Sequence, residues 1–135
     1  MANEMVPLPH EIRYDIWRGV KKLSGELVSM VEYNIPSIPT GSYWETQILD
    51  TTGWLSFDRF IFSNQLLELQ VWASNDGVNF SPGLTFYIPP NIVTFQRCPI
   101  PARYVKIRLT NISGYDASNV ALRIVFRPSI WDVTV

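Results

Sequence analysis

The sequence holds one cysteine, Cys98, and one histidine, His10. No internal disulfide can form, so the fold must be held by its core, which fits synthesis in a reducing compartment. Zinc ligation by Cys and His lacks ligands for any known template. A Ser or Cys nucleophile needs a base within hydrogen-bond reach, most often His; His10 falls in the first turn of an expected helix, where an exposed side chain is the plain reading. Cys98 stands before Pro99 at a strand end and reads as a small buried hydrophobe. No apolar run approaches the ~18 residues that a membrane span needs. There is no GxGxxG or Walker sequence for phosphate, no Asp-x-Asp-x-Asp calcium loop, no internal repeat and no low-complexity tract. Glu4, Glu11, Arg13, Asp15, Arg18, Lys21, Lys22 and Glu26 interrupt any apolar h-region, so no signal peptide is expected. Without a secretory route, the acceptor patterns at Asn79 and Asn111 read as chance.

What is present is a globular composition: 47% of the 135 residues are hydrophobic, and the length suits one domain with a sizeable core. The net charge is −1 but uneven: residues 1–90 carry five basic and ten acidic side chains, and residues 91–135 six and two. The last third therefore presents a positive balance, too weak for a nucleic-acid binder. No nucleic-acid partner and no cofactor are implied.

Ile12, Ile16, Val20, Leu23, Leu27 and then Met30 or Val31 recur at steps of three and four. That spacing predicts an amphipathic helix over residues 8–33, with Pro9 in its first turn. Asn34 to Ser42, with Pro36 and Pro39, reads as an extended linker. The expected organisation is a helical arm and linker over 1–42 and a β domain over 43–135. After Tyr43 the period changes to two. Leu67, Leu69, Val71 and Ala73 share one strand face, with Glu68, Gln70 and Trp72 on the other. Val105, Ile107 and Leu109 are expected inward, with Tyr104, Lys106 and Arg108 outward; Leu122, Ile124 and Phe126 form another inward face. Leu55–Phe62, Leu84–Ile88, Ile92–Arg97 and Ile130–Val135 read as further strands, and Asn75-Asp76-Gly77 as a turn. Short strands with regular turn signals predict an antiparallel sandwich or barrel.

Four stretches, in order, resemble discoidin-like (galactose-binding-like) domains of the coagulation-factor type. They are Asp50-Thr-Thr-Gly-Trp54-Leu-Ser-Phe57, Leu69-Gln-Val-Trp-Ala-Ser-Asn-Asp-Gly77-Val-Asn-Phe80, Pro101-Ala-Arg-Tyr104-Val-Lys-Ile-Arg108-Leu-Thr-Asn111 and Ala121-Leu-Arg-Ile-Val-Phe126. The resemblance covers residues 43–128 and implies a jelly-roll β-sandwich that binds sugars, lipids or proteins without catalysis. The two terminal cysteines that often clasp such domains are missing, and no matching set of ligand-loop residues appears. Cysteine-free versions with short N-terminal extensions look like phage and other virion modules.

The expected fold is thus a mostly β, antiparallel jelly-roll sandwich with an N-terminal amphipathic α-helix. The expected function is non-enzymatic. The helix stripe of Ile12, Ile16, Val20, Leu23 and Leu27 joins copies into a homo-oligomer, and Trp17, Trp44, Trp72, Lys106 and Arg108 are interface candidates, with Arg123 and Arg127 extending a basic outer face. Partners would be other structural proteins of a virion or extracellular assembly (decoration, baseplate or fibre), after synthesis in the cytoplasm. The alternative is a carbohydrate-binding module recognising cell-surface glycans. No catalytic, cofactor or metal residues are assigned; Asp50, Asp76 and Asp116 are expected to serve their own turns.

Overall fold

A computed structural model describes residues 20–23 and 26–128. Over those residues the chain is β: β1 (Val20–Leu23), β2 (Glu26–Ile38), β3 (Tyr43–Glu45), β4 (Leu49–Asp50), β5 (Ser56–Phe62), β6 (Leu67–Ser74), β7 (Ser81–Ile88), β8 (Thr94–Pro99), β9 (Tyr104–Asn111) and β10 (Ala117–Arg127). They form two antiparallel sheets. The first sheet runs β1-β2-β10-β5-β8, and the second β3-β9-β6-β7, with β4 also pairing β9. After β2 the chain changes sheet at most steps, an arrangement compatible with a jelly roll.

Period-two alternation builds the core. Leu67, Leu69 and Val71 of β6 and Val105, Ile107 and Leu109 of β9 face Phe57 and Ile61 of β5 and Leu122, Ile124 and Phe126 of β10, all of them buried. The inward faces assigned from the sequence are the observed ones. Trp54 and Phe57 crowd the Phe126 ring at centroid distances of 6.3 and 5.9 Å. Cys98 is buried beside them, as expected of a small hydrophobe. The Asn75-Asp76-Gly77 turn is observed, with Gly77 at φ +79°.

Where the expected helix overlaps the described residues, it is replaced by strand. Val20–Leu23 and Glu26–Tyr33 lie in β1 and β2, so Val20, Leu23 and Leu27 sit on extended backbone. The start of that helix, with His10, Ile12, Ile16 and Trp17, lies outside the described residues, as does the last expected strand from Ile130. The physical reason is tertiary. Val31, Tyr33 and Ile35 point to the core while Glu32 and Asn34 face out, and pairing with β10 overrides a helical spacing that the isolated segment also satisfies. The boundary expected at residue 42 moves with it. Asn34–Ile38 is extended as foreseen, but it is the end of β2 and belongs to the sandwich. Pro36 is tolerated because β1 covers β2 only from Glu26 to Ser29, so this half of β2 has an open side among the described residues.

Two substitutions test this packing. Phe126→Ala is expected to lower unfolding free energy by ~3–5 kcal/mol, the cost of a truncated core aromatic. Gly77→Ala, which places a side chain at positive φ although the space above it is ordinary, is expected to lose ~1–2 kcal/mol. Denaturant unfolding with unchanged slope checks both.

Candidate functional site

The outer face of the second sheet gathers several aromatic and cationic side chains into one ladder. Antiparallel register sets Glu45 of β3 opposite Arg108 of β9, Arg108 opposite Gln70 of β6, and Lys106 opposite Trp72. The Glu45 carboxylate accepts from Arg108 Nε at 2.7 Å and from Lys106 Nζ at 3.3 Å. So held, the Arg108 guanidinium stacks on two rings, 4.3 Å from the Tyr43 centroid and 4.4 Å from that of Trp72. Lys106 Nζ lies 4.8 Å from the Phe80 ring, and Trp72 Nε1 donates to Gln70 Oε1 at 3.2 Å. Burial raises the Glu45 pKa, but the bonds and charges of Arg108 and Lys106 outweigh it and leave the carboxyl below its ordinary value. The result is a preordered platform whose exposed rim includes Tyr43 (56% exposed) and Tyr87 (65%). Cation–π contacts of this kind contribute about 0.5–2 kcal/mol each.

Of the interface candidates, the structure brings Trp72, Lys106 and Arg108 together, but not Trp44, Arg123 or Arg127. Trp44 packs its ring edge-on against Tyr33 at 5.1 Å, on the core side of β3. The expected basic face is split and compensated. Arg123 pairs with Glu32 at 2.8 Å and Arg127 with Asp58 at 2.8 Å, both on the first sheet. Sequence reasoning passed over Tyr43, Glu45 and Phe80. Glu45 carried a usable signal, since it lies two residues past Tyr43 and so shares that residue's strand face.

On the outer face of the first sheet, Asp58 is 1% exposed. It accepts from Arg97 Nε at 2.6 Å and from Arg127 Nε at 2.8 Å. Burial raises its pKa, and the hydrogen bonds and charges of the two arginines more than reverse this, so the carboxyl titrates below its ordinary range. Beside it, Phe60 and Phe95 stack at 5.1 Å, and an open groove of about 610 Å³ runs past Phe60, Phe62, Val93 and Arg123. The turn acids serve their own loops. Asp76 accepts from the backbone N–H groups of Asn79 and Val78 and from Ser74 and Asn79 side chains, which holds its pKa far down. Asp50 binds Thr52 and Arg103, and Asp116 accepts from the Thr40 N–H. Among the described residues no three His, Cys, Asp or Glu side chains group as metal ligands, and no helix is long and apolar enough to cross a membrane. Burial pushes the Cys98 thiol up to about 11, away from thiolate chemistry at neutral pH.

No protein-family model matches the chain, and no curated protein does. Among solved structures, PBSX exported protein XepA superposes with TM-score 0.64 at 16% identity, covering 86% of this chain and 42% of XepA. The chain thus spans less than half of that protein's length. PirA matches with TM-score 0.47 at 12% identity over 73% of this chain and 93% of PirA. A Bacillus endospore appendage protein of a disulfide-linked pilus family matches with TM-score 0.47 at 6% identity over 76% and 86% of the two chains. The likeness to XepA establishes the β-sandwich fold.

Because the Asp58 pKa is depressed in the folded chain, its stabilising share is complete above ~pH 4, where an unfolded Asp is ionised, and is lost as pH falls through the folded value. Asp58→Asn is expected to cost about 2–4 kcal/mol at pH 7, less than a wholly buried pair because Arg97 keeps 22% of its side chain exposed. Unfolding midpoints across pH 2–7 check this: the variant's acid limb is expected to be flatter than that of the wild type.

Proposed function

We propose that this chain is a non-enzymatic structural module of the discoidin-like jelly-roll kind that works by surface contact inside a homo-oligomeric assembly. The virion or an extracellular appendage is its proposed place, after synthesis in the cytoplasm. The observation that carries the reading is the ladder on the second sheet. Glu45 holds Arg108 against Tyr43 and Trp72 before any partner arrives. Preordered aromatic and arginine side chains are the typical anchors of protein interfaces, since little side-chain entropy is lost on docking. XepA, similar in fold, is described as an exported protein, which agrees with an extracellular place.

The assembly contact is assigned to this sheet face rather than to a helix stripe, because Val20, Leu23 and Leu27 lie on strands. A second reading, a carbohydrate-binding module for cell-surface glycans, is favoured by one feature. The exposed Tyr43 ring stands beside Arg108, Glu45 and Gln70, a stacking surface with polar groups at its edge.

Light scattering on the full chain tests the first reading. The wild type is expected to sediment and scatter as a defined oligomer, and the double variant Tyr43→Glu, Tyr87→Glu as a folded monomer. A wild type that stays monomeric at every concentration, or a double variant that assembles unchanged, removes the platform as the assembly contact. A glycan array separates the second reading: hits lost in Tyr43→Ala support it, and an array without hits removes it.

A further inference from the structure

The outward side chains of the second sheet follow a layout that matches itself. Among the described residues the sheet runs β3-β9-β6-β7, so β9 and β6 form its centre and β3 and β7 its margins. Leu67, Leu69 and Val71 of β6 and Val105, Ile107 and Leu109 of β9 are buried against the core, so the residues between them face out. Register then sets the outward residues in rows across the strands. The first row is Tyr43, Thr110, Glu68 and Tyr87. The second holds Glu45, Arg108 and Gln70, and the third Lys106 and Trp72. The first row thus begins and ends in an exposed tyrosine. The cations stand on one central strand, β9, and the acid of the first row stands on the other, β6.

A two-fold axis laid along the strands between β9 and β6 keeps each row and exchanges its two halves. Tyr43 of one copy then faces Tyr87 of the other, and Thr110 faces Glu68. In the next rows Arg108 faces Gln70, and Lys106 faces Trp72. These pairs are ring on ring, hydroxyl to carboxylate, guanidinium to amide and ammonium to indole, and each occurs twice. Other axes that stack the two faces lack this match. An axis across the strands through the second row sets Arg108 against Arg108 and Glu45 against Glu45. An axis along β9 sets Arg108 and Lys106 each against its own copy, and one along β6 does the same to Glu68. Like charges placed opposite one another across an interface are strongly disfavoured.

We infer that the platform docks on the same platform of a second copy, about a two-fold axis that runs along the strands between β9 and β6. The inference rests on the reading of this platform as the assembly contact, and it adds the occupant and the register. The occupant is named by the charge and ring complementarity of this face with itself. The packing geometry agrees: sheets stacked face to face keep their strands within about 30° of one another, and this axis leaves the strands aligned. Arg108 already lies on Tyr43 and Trp72 in the single chain, so little side-chain freedom is lost on contact. Four strands about 4.8 Å apart and three rows about 7 Å apart make a small face. It falls at the low end of protein interfaces, so the dimer is expected to be a weak one.

The test is sedimentation of the full chain over a concentration series, with three double variants at the two facing tyrosines. Both positions are exposed, and circular dichroism checks that each variant keeps the fold. Tyr43→Glu, Tyr87→Lys brings opposite charges together twice in the dimer. Its association constant is expected to stay within about tenfold of the wild-type value. Tyr43→Glu, Tyr87→Glu and Tyr43→Lys, Tyr87→Lys bring like charges together and are expected to associate about a hundredfold more weakly or worse. The gap between the mixed and the like-charged variants is expected to narrow in about 1 M salt. Net charge does not account for that gap: from −1 in the wild type, the mixed variant stays at −1 and the double lysine variant moves to +1. Equal weakening of all three variants overturns the register and leaves the platform as the contact. A wild type that stays monomeric at every concentration leaves the face to the chain's own remaining residues or to another protein, and overturns both. A double glutamate variant that assembles unchanged does the same.

Discussion

The structure hangs on β10. It lies between β2 and β5 in the first sheet, with nine register-matched pairs on one side and seven on the other. Its Leu122, Ile124 and Phe126 project into the interior, where they meet β5 and the facing strands of the second sheet. Because a strand's side chains alternate strictly, one register sets both faces at once: a slip of one residue would turn these three outward and bring Arg123 and Val125 in. The same register places Arg123 beside Glu32 and Arg127 beside Asp58, so the ion pairs of the outer face follow from the apolar ones of the inner face. Hydrophobic burial supplies the drive, and charge pairing confirms the register.

Charge is handled differently on the two outer faces. On the second sheet, Glu45 serves two cations and aromatic rings cover what remains of their charge. On the first sheet, Asp58 is nearly inaccessible and needs both Arg97 and Arg127 to offset its burial. Arg59 stands outside this economy of compensation, facing inward on β5 with a threonine and a phenylalanine for company. Two adjacent residues of one strand, Asp58 and Arg59, thus point to opposite sides and never pair, although they are neighbours in sequence. That separation follows from the pleat alone.

Much of the β domain was legible in the residues. The alternation in β6, β9 and β10 and the turn at Asp76-Gly77 appear where the residue pattern put them. The second strand was not legible. Val20, Leu23, Leu27 and Val31 satisfy a helical spacing, while Val31, Tyr33 and Ile35 satisfy an extended one; a short segment cannot choose between them without its pairing partner, which lies more than eighty residues away in β10. The candidate site was half legible. Trp72, Lys106 and Arg108 were marked as outward from alternation, but Glu45 and Tyr43 join them only through the β3–β9 register.

The sequence alone determined the alternation of β6, β9 and β10, the inward residues of those strands and the lack of a second cysteine for an internal disulfide, because these depend on local alternation and on residue inventory. Only the tertiary structure decided that residues 26–38 belong to the sandwich, that Arg123 and Arg127 lie away from Arg108, and that Arg59 is buried with no counter-ion among the described residues. Those outcomes depend on which strands become neighbours, and neighbour choice is made by the closing of two sheets over one core.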